Sequence, residues 1–173
     1  DISFRMGLST GHPLTEDAGF FSKALLLTRR LCLGAKDNEV LVSSLVRVTC
    51  TLEDIAPLKQ LTPAEESFIN DLFDQTETNL PNKNFNVDHL SRKLGVSRPQ
   101  LYRKILFLTG RSPNNFISSL RMAKALSLIK NNFGNVSEVA LEVGYNNPSY
   151  FAKCFQKNYG CTPSEFIKPH SST

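Results

Sequence analysis

"VSEVALEVGYNNPSYFAKCFQKNYGCTPSEFI", residues 136–167, places Val136, Val139 and Val143 at helical spacing ahead of Gly144. Asn147-Pro148 then reads as a helix start, because Asn is a favoured N-cap and Pro suits the first helical position. Gly160 reads as the stop, where a left-handed backbone angle is needed. The second helix is therefore about three turns long. Phe151 and Phe155 lie one turn apart on its apolar face, with Ser149, Lys153 and Gln156 opposite.

The same plan occurs earlier in the chain. Residues 87–117, "VDHLSRKLGVSRPQLYRKILFLTGRSPNNFI", repeat it at an offset of 49 up to Gly95 and Gly144, and of 50 beyond them. Leu101 then meets Phe151, Arg103 meets Lys153, Ile105 meets Phe155, Gly110 meets Gly160, and Ser112-Pro113 meets Thr162-Pro163. In this copy Val87, Leu90 and Leu94 line the first helix, Ser97 is the N-cap, and Leu101, Ile105 and Leu108 are the buried residues of the second. Helix, short glycine-containing turn, helix is the helix-turn-helix plan. No carboxylate falls within residues 97–113 or 145–164. A free surface helix mixes both signs, so this one-sided face favours DNA reading over a purely structural pair of αα-hairpins.

Between the copies runs "SPNNFISSLRMAKALSLIKNNFG", residues 112–134, with Phe116, Leu120, Ala123 and Leu126 as a buried stripe. Roughly 18 helical residues at ~1.5 Å each span ~27 Å. Successive major-groove openings on one face of B-DNA lie ~34 Å apart, so such a rod suits two reading helices. Ahead of the first copy, Thr62-Pro63 with Glu65 at capping-box spacing starts another helix, whose apolar face is Phe68, Ile69, Leu72 and Phe73.

The chain's 173 residues allow one or two domains. Its longest aliphatic run, Ala24–Leu27, is too short to span a membrane, and Asp1 begins no signal segment. The first residue is not Met, which suggests a processed chain or part of a longer one. Net charge is +4, but residues 1–79 carry 7 Lys/Arg against 12 Asp/Glu, and residues 80–173 carry 13 against 4. An acidic half precedes a basic one, and only the second suits a polyanion. Cys32, Cys50, Cys154 and Cys161 form no C-x-x-C pair, and His12, His89 and His170 are scattered. Free thiols in a reducing cytoplasm, no metal, no cofactor and no catalytic triad are expected.

The basic half resembles the DNA-binding domain of AraC/XylS-type bacterial transcription factors. The resemblance covers residues 62–168 and rests on the two repeated stretches, with "LRMAKALSLI" as linker helix. It implies seven helices, with helix-turn-helix units at about 87–110 and 136–160 set into adjacent major-groove faces of double-stranded promoter DNA, and RNA polymerase as partner. It would give base contacts to Arg98, Tyr102 and Arg103 from the first unit, and to Asn147, Ser149, Ala152 and Lys153 from the second. Arg103 fits either a bidentate contact to guanine or a phosphate clamp. Ser97, Arg111, Ser112, Lys157 and Thr162 fit phosphate contacts. Arg121 fits a phosphate contact or an internal ion pair, Pro148 and Tyr150 fit packing or DNA contact, and Arg92 and Lys93 a solvated face.

The acidic half reads as a β-α-β fragment. Ile2, Phe4 and Met6 alternate as in a strand, Gly7–Pro13 is a loop, Phe20 to Cys32 is helical, and "NEVLVSSLV" is a strand entering a short helix. Residues 1–52 resemble the C-terminal part of a class III nucleotide cyclase homology domain through "GLSTGHP", "FFSKALLLTRRLC" and "AKDNEVLVSSLVR". In active cyclases that helix carries an Asn and, four residues on, an Arg. Here Leu26 stands at the Asn position and Arg30 at the Arg position, and the metal-binding carboxylates have no counterpart, so no cyclase activity is expected. Residues 53–61 read as linker and 169–173 as tail. The expectation is a mainly α protein with two helix-turn-helix units, a linker helix and a small N-terminal β-α-β fragment. It acts as a transcription regulator that can dimerise through that fragment. The alternative is a nucleotide-sensing module in which Arg30 and the "STGHP" loop hold phosphate.

Overall fold

A computed structural model of the chain describes residues 4–10, 22–46 and 58–167. In order these form β1 (Arg5–Leu8), α1 (Ser22–Gly34), β2 (Glu39–Val42), β3 (Leu58–Gln60), α2 (Pro63–Asn79), α3 (Val87–Lys93), α4 (Arg98–Thr109), α5 (Pro113–Lys130), α6 (Val136–Glu142), α7 (Pro148–Tyr159) and α8 (Pro163–Ile167). The fold is mainly α, with two helix-turn-helix pairs (α3/α4 and α6/α7), a linker helix α5 and a small N-terminal β-α-β element. The chain makes two compact units, Asp1–Asp74 with Pro99–Arg111, and Gln75–Arg98 with Ser112–Thr173.

In the first unit the strands form a parallel sheet in the order β1-β2-β3, with Met6 beside Val40 and Val40 beside Leu58. The central strand is buried along its length, as a covered parallel strand requires. Helix α1 crosses β1 at Gly7, where a Cβ would collide with the Thr28 carbonyl and the Cys32 amide, so only glycine fits. Strand β3 lies inside the stretch expected to be linker. Three residues are too few to carry a readable alternation, and pairing with β2 supplies what the pattern lacks. After β2, Ser44 and Leu45 form a turn where a short helix is expected, and residues 47–57 lie outside the described residues. Ile2, Gly11–Pro13 and Phe20 also lie outside them.

Helix α2 starts as its sequence predicts. The Glu65 carboxylate accepts from the Thr62 amide at 2.8 Å and from the Thr62 hydroxyl at 2.8 Å, while the Glu65 amide donates back to that hydroxyl at 3.3 Å. Ile69, Leu72 and Phe73 are buried, as are Leu101, Ile105 and Leu108 of α4.

In the second unit the core gathers Met122, Ala125 and Ile129 of α5, Val139 and Ala140 of α6, Val143 and Tyr145 of the following turn, and Phe151 and Phe155 of α7. Helix α5 has the expected 18 residues, with Ser112 as N-cap and Pro113 at its first turn. No described helix is long and apolar enough to cross a membrane.

Candidate nucleic-acid interface

The second pair is assembled by its caps and its aromatic residues. The Asn135 side chain accepts from the amides of Ser137 and Glu138, and Glu138 returns a bond from the Asn135 amide at 2.8 Å, closing a capping box on α6. Gly144 takes φ +82° and reverses the chain. Asn147 caps α7 by accepting from the Tyr150 amide at 3.0 Å, Pro148 opens the helix, and Gly160 ends it in the left-handed conformation. Inside, the rings of Tyr145, Phe151, Phe155 and Tyr159 form a column with centroid separations of 5.6, 6.0 and 4.6 Å, and Phe166 of α8 stands edge-on to Phe155 at 6.1 Å. Such contacts hold α7 at a fixed rotation about its axis. Asn147, Ser149, Lys153, Gln156 and Lys157 are thereby exposed together, while Ala152 is half-buried and Tyr150 is 60% exposed.

The first pair reaches a similar outcome by different means. Asn86 caps α3 by accepting from the amides of Asp88 and His89. Gly95 takes φ +63° in the turn. Along α4, Arg98, Tyr102 and Arg103 are exposed. Arg98 is not free of partners, since its Nε pairs with the Asp88 carboxylate of α3. Asp88 lies nine positions before the carboxylate-free stretch 97–113, so the one-sided charge of that stretch leaves room for an ion pair with α3. Ser97 is exposed ahead of α4.

Two arginines expected near phosphate or ion pairs turn inward. Arg111 donates from Nη1 to the Leu33 carbonyl at 2.8 Å, and burial lowers its pKa. Arg121 donates from Nη2 to the carbonyls of Asn82 at 3.3 Å and Phe85 at 3.5 Å, and its guanidinium lies 5.6 Å above the Tyr145 ring. The sequence carried a signal for Arg121, because it stands at four-residue steps from Ile117 and Ala125, both buried. Ser112 and Thr162 are occupied as helix starts: Ser112 accepts from the Asn115 amide, and Thr162 gives both its amide and its hydroxyl to Glu165.

In the N-terminal unit Arg30 is buried, with Nη1 donating to Asn70 at 3.0 Å and Nη2 paired with Asp74. A guanidinium committed to a carboxylate meets a phosphate only by breaking that pair. Leu26 is exposed. Among the described residues no group of three or more His, Cys, Asp or Glu could hold a metal ion, and Cys32, Cys154 and Cys161 are free.

Residues 90–169 match the helix-turn-helix domain family. The HTH-type transcriptional regulator MtrA of Neisseria gonorrhoeae is 33% identical over 88 residues, which is 51% of this chain and 29% of MtrA. An AraC-type transcriptional regulator from Chromobacterium violaceum shares the fold, with a TM-score of 0.56 at 21% identity over 61% of this chain and 94% of that one. Residues 90–169 thus form a helix-turn-helix domain with the fold of AraC-type regulators. Histidine kinase P4 of Formosa agariphila is also similar, 38% identical over 120 residues, 65% of this chain and 9% of that protein. The chain thus spans less than a third of either sequence relative's length. Within this fold α4 and α7 are the second helices of the two pairs, the position from which helix-turn-helix motifs in general read DNA.

Proposed function

We propose that the chain is a sequence-specific DNA-binding transcription regulator of bacterial, cytoplasmic type, which sets α4 and α7 into adjacent major-groove segments of promoter DNA. The observation that carries this reading is the two-sidedness of α7. Its aromatic face is locked in the core, while Ser149, Lys153, Gln156 and Lys157 stand exposed with no carboxylate in the helix. On this reading Arg98, Tyr102 and Arg103 of α4, and Asn147, Ser149, Ala152 and Lys153 of the second pair, face base edges. Lys157 and Ser97 approach phosphates. RNA polymerase is the partner that a promoter-bound regulator meets, and the N-terminal unit is the natural seat of a homodimer contact. The burial of Arg30 against α2 favours this reading over a nucleotide-sensing one.

Gel-shift titration in rising salt tests it, and a steep fall of log K with log salt is the expected result. Arg103→Ala should relax discrimination at its base position by about 1–3 kcal/mol. Lys157→Ala should weaken all sequences alike and reduce the salt slope by about one. Binding that ignores both salt and sequence would sink the proposal.

A further inference from the structure

Arg121 sits where three separate segments of the second unit converge. It projects from the linker helix α5. Its Nη2 donates to the carbonyls of Asn82 and Phe85, in the loop that leads into α3. Its guanidinium covers the ring of Tyr145, in the turn between α6 and α7. Gly144, the residue before that ring, is packed against the same point. A Cβ there would overlap the Leu80 carbonyl oxygen and come within 3.0 Å of Arg121 Nη2. The turn of the second pair and the lead-in to the first therefore touch through one glycine and one arginine.

The chemistry suits a clamp rather than a ligand site. The guanidinium is desolvated, its two hydrogen bonds are long, and its Nε is buried with no hydrogen-bond partner among the described residues. Only a flat, delocalised cation can stack on a ring and donate edgewise to two carbonyls at once. A lysine keeps the charge but cannot do both.

We propose that Arg121 is a positioning residue. It locks the turn between α6 and α7 to the loop that leads into α3, and so holds α3 and α7 in one fixed relation within the second unit. The clamp itself does not require DNA, and only its effect on DNA binding rests on the function proposed above.

The test uses the full chain and two variants, Arg121→Lys and Tyr145→Leu, the second keeping the arginine while removing its ring. Hydrogen exchange is followed at two amides that are bonded in the fold, Phe85 to Asn82 and Tyr145 to Ala140. Both variants should speed exchange at Phe85 and Tyr145 together. Exchange that rises in only one segment, or in neither, would overturn the clamp. In the second arm, wild-type protein selects its site from a random duplex library, and base pairs are then inserted or deleted between the two half-elements. Wild-type affinity should fall about tenfold on a changed spacing, and the variants should lose most of that difference. Variants that weaken every spacing alike would reduce Arg121 to a general stabiliser. If the wild type selects no sequence at all, the DNA-reading function fails, and the exchange result still decides the clamp.

Discussion

Gly95 and Gly144 occupy the same position in two copies of one motif, and their surroundings are opposite. A side chain on Gly95 would meet nothing within 4 Å, whereas one on Gly144 would strike backbone and Arg121. The first turn thus needs glycine for its dihedral angle alone, and the second also needs it for close approach. The two cores differ in the same sense. Helix α4 buries the aliphatic Leu101, Ile105 and Leu108, while α7 rests on a column of rings shared with its own turn and with α8. One plan has been built once as an open turn with an aliphatic core and once as a packed turn with an aromatic one.

Core truncations should separate the two most strongly. Phe155→Ala should cost about 3–5 kcal/mol in denaturant unfolding, because it opens the middle of the ring column. Ile105→Ala should cost about 2–5 kcal/mol, and the contrast breaks if it proves the more damaging of the two. The turns give the next effect. Gly95→Ala should lose about 1–2 kcal/mol to its left-handed backbone alone. Gly144→Ala adds a steric overlap of about 1–3 kcal/mol, so equal melting temperatures for the two variants would show that Gly144 is not packed as described.

Smaller differences lie in the caps and charges. Asn135→Ala and Asn86→Ala should each cost about 1 kcal/mol, the former slightly more because Glu138 returns a bond to the Asn135 amide. Asp88→Asn should change stability by under about 1 kcal/mol, since its pair with Arg98 is largely solvated. A double-mutant cycle with Arg98→Ala measures that coupling, and a value of zero would remove the distinction it draws between the exposed faces of α4 and α7.

Much of this architecture was legible because the motif is written twice. Aligning the copies fixed both turns, and Asn147-Pro148, Ser112-Pro113 and Thr62-Pro63 each mark the start of a helix in the structure. Such signals act through bonds spanning a few residues, so they survive in a linear reading. Strand β3 did not survive it, because its pairing partner Val40 lies 18 positions from Leu58. The fates of Arg111 and Arg121 were hidden for the same reason: the carbonyls they meet lie 78 and 36 to 39 positions away. Residue type announces a guanidinium, but only the tertiary fold says whether it faces solvent or backbone. The likeness of residues 1–52 to a cyclase homology domain remains a reading of sequence pattern alone, and Arg30 at its centre is turned into α2.

The pair between Arg98 and Asp88 has a consequence for selectivity. An arginine that faces bulk water gives up only hydration when it meets DNA, so almost any acceptor attracts it. Arg98 begins with a carboxylate already in place, so on the proposed function a move to a base edge would exchange one acceptor for another. Only the difference between the two enters the affinity. On the proposed function, a solvated pair worth under about 1 kcal/mol offsets what Arg98 gains at any acceptor by no more than that amount, a small bias toward sequences that offer a better acceptor than the carboxylate.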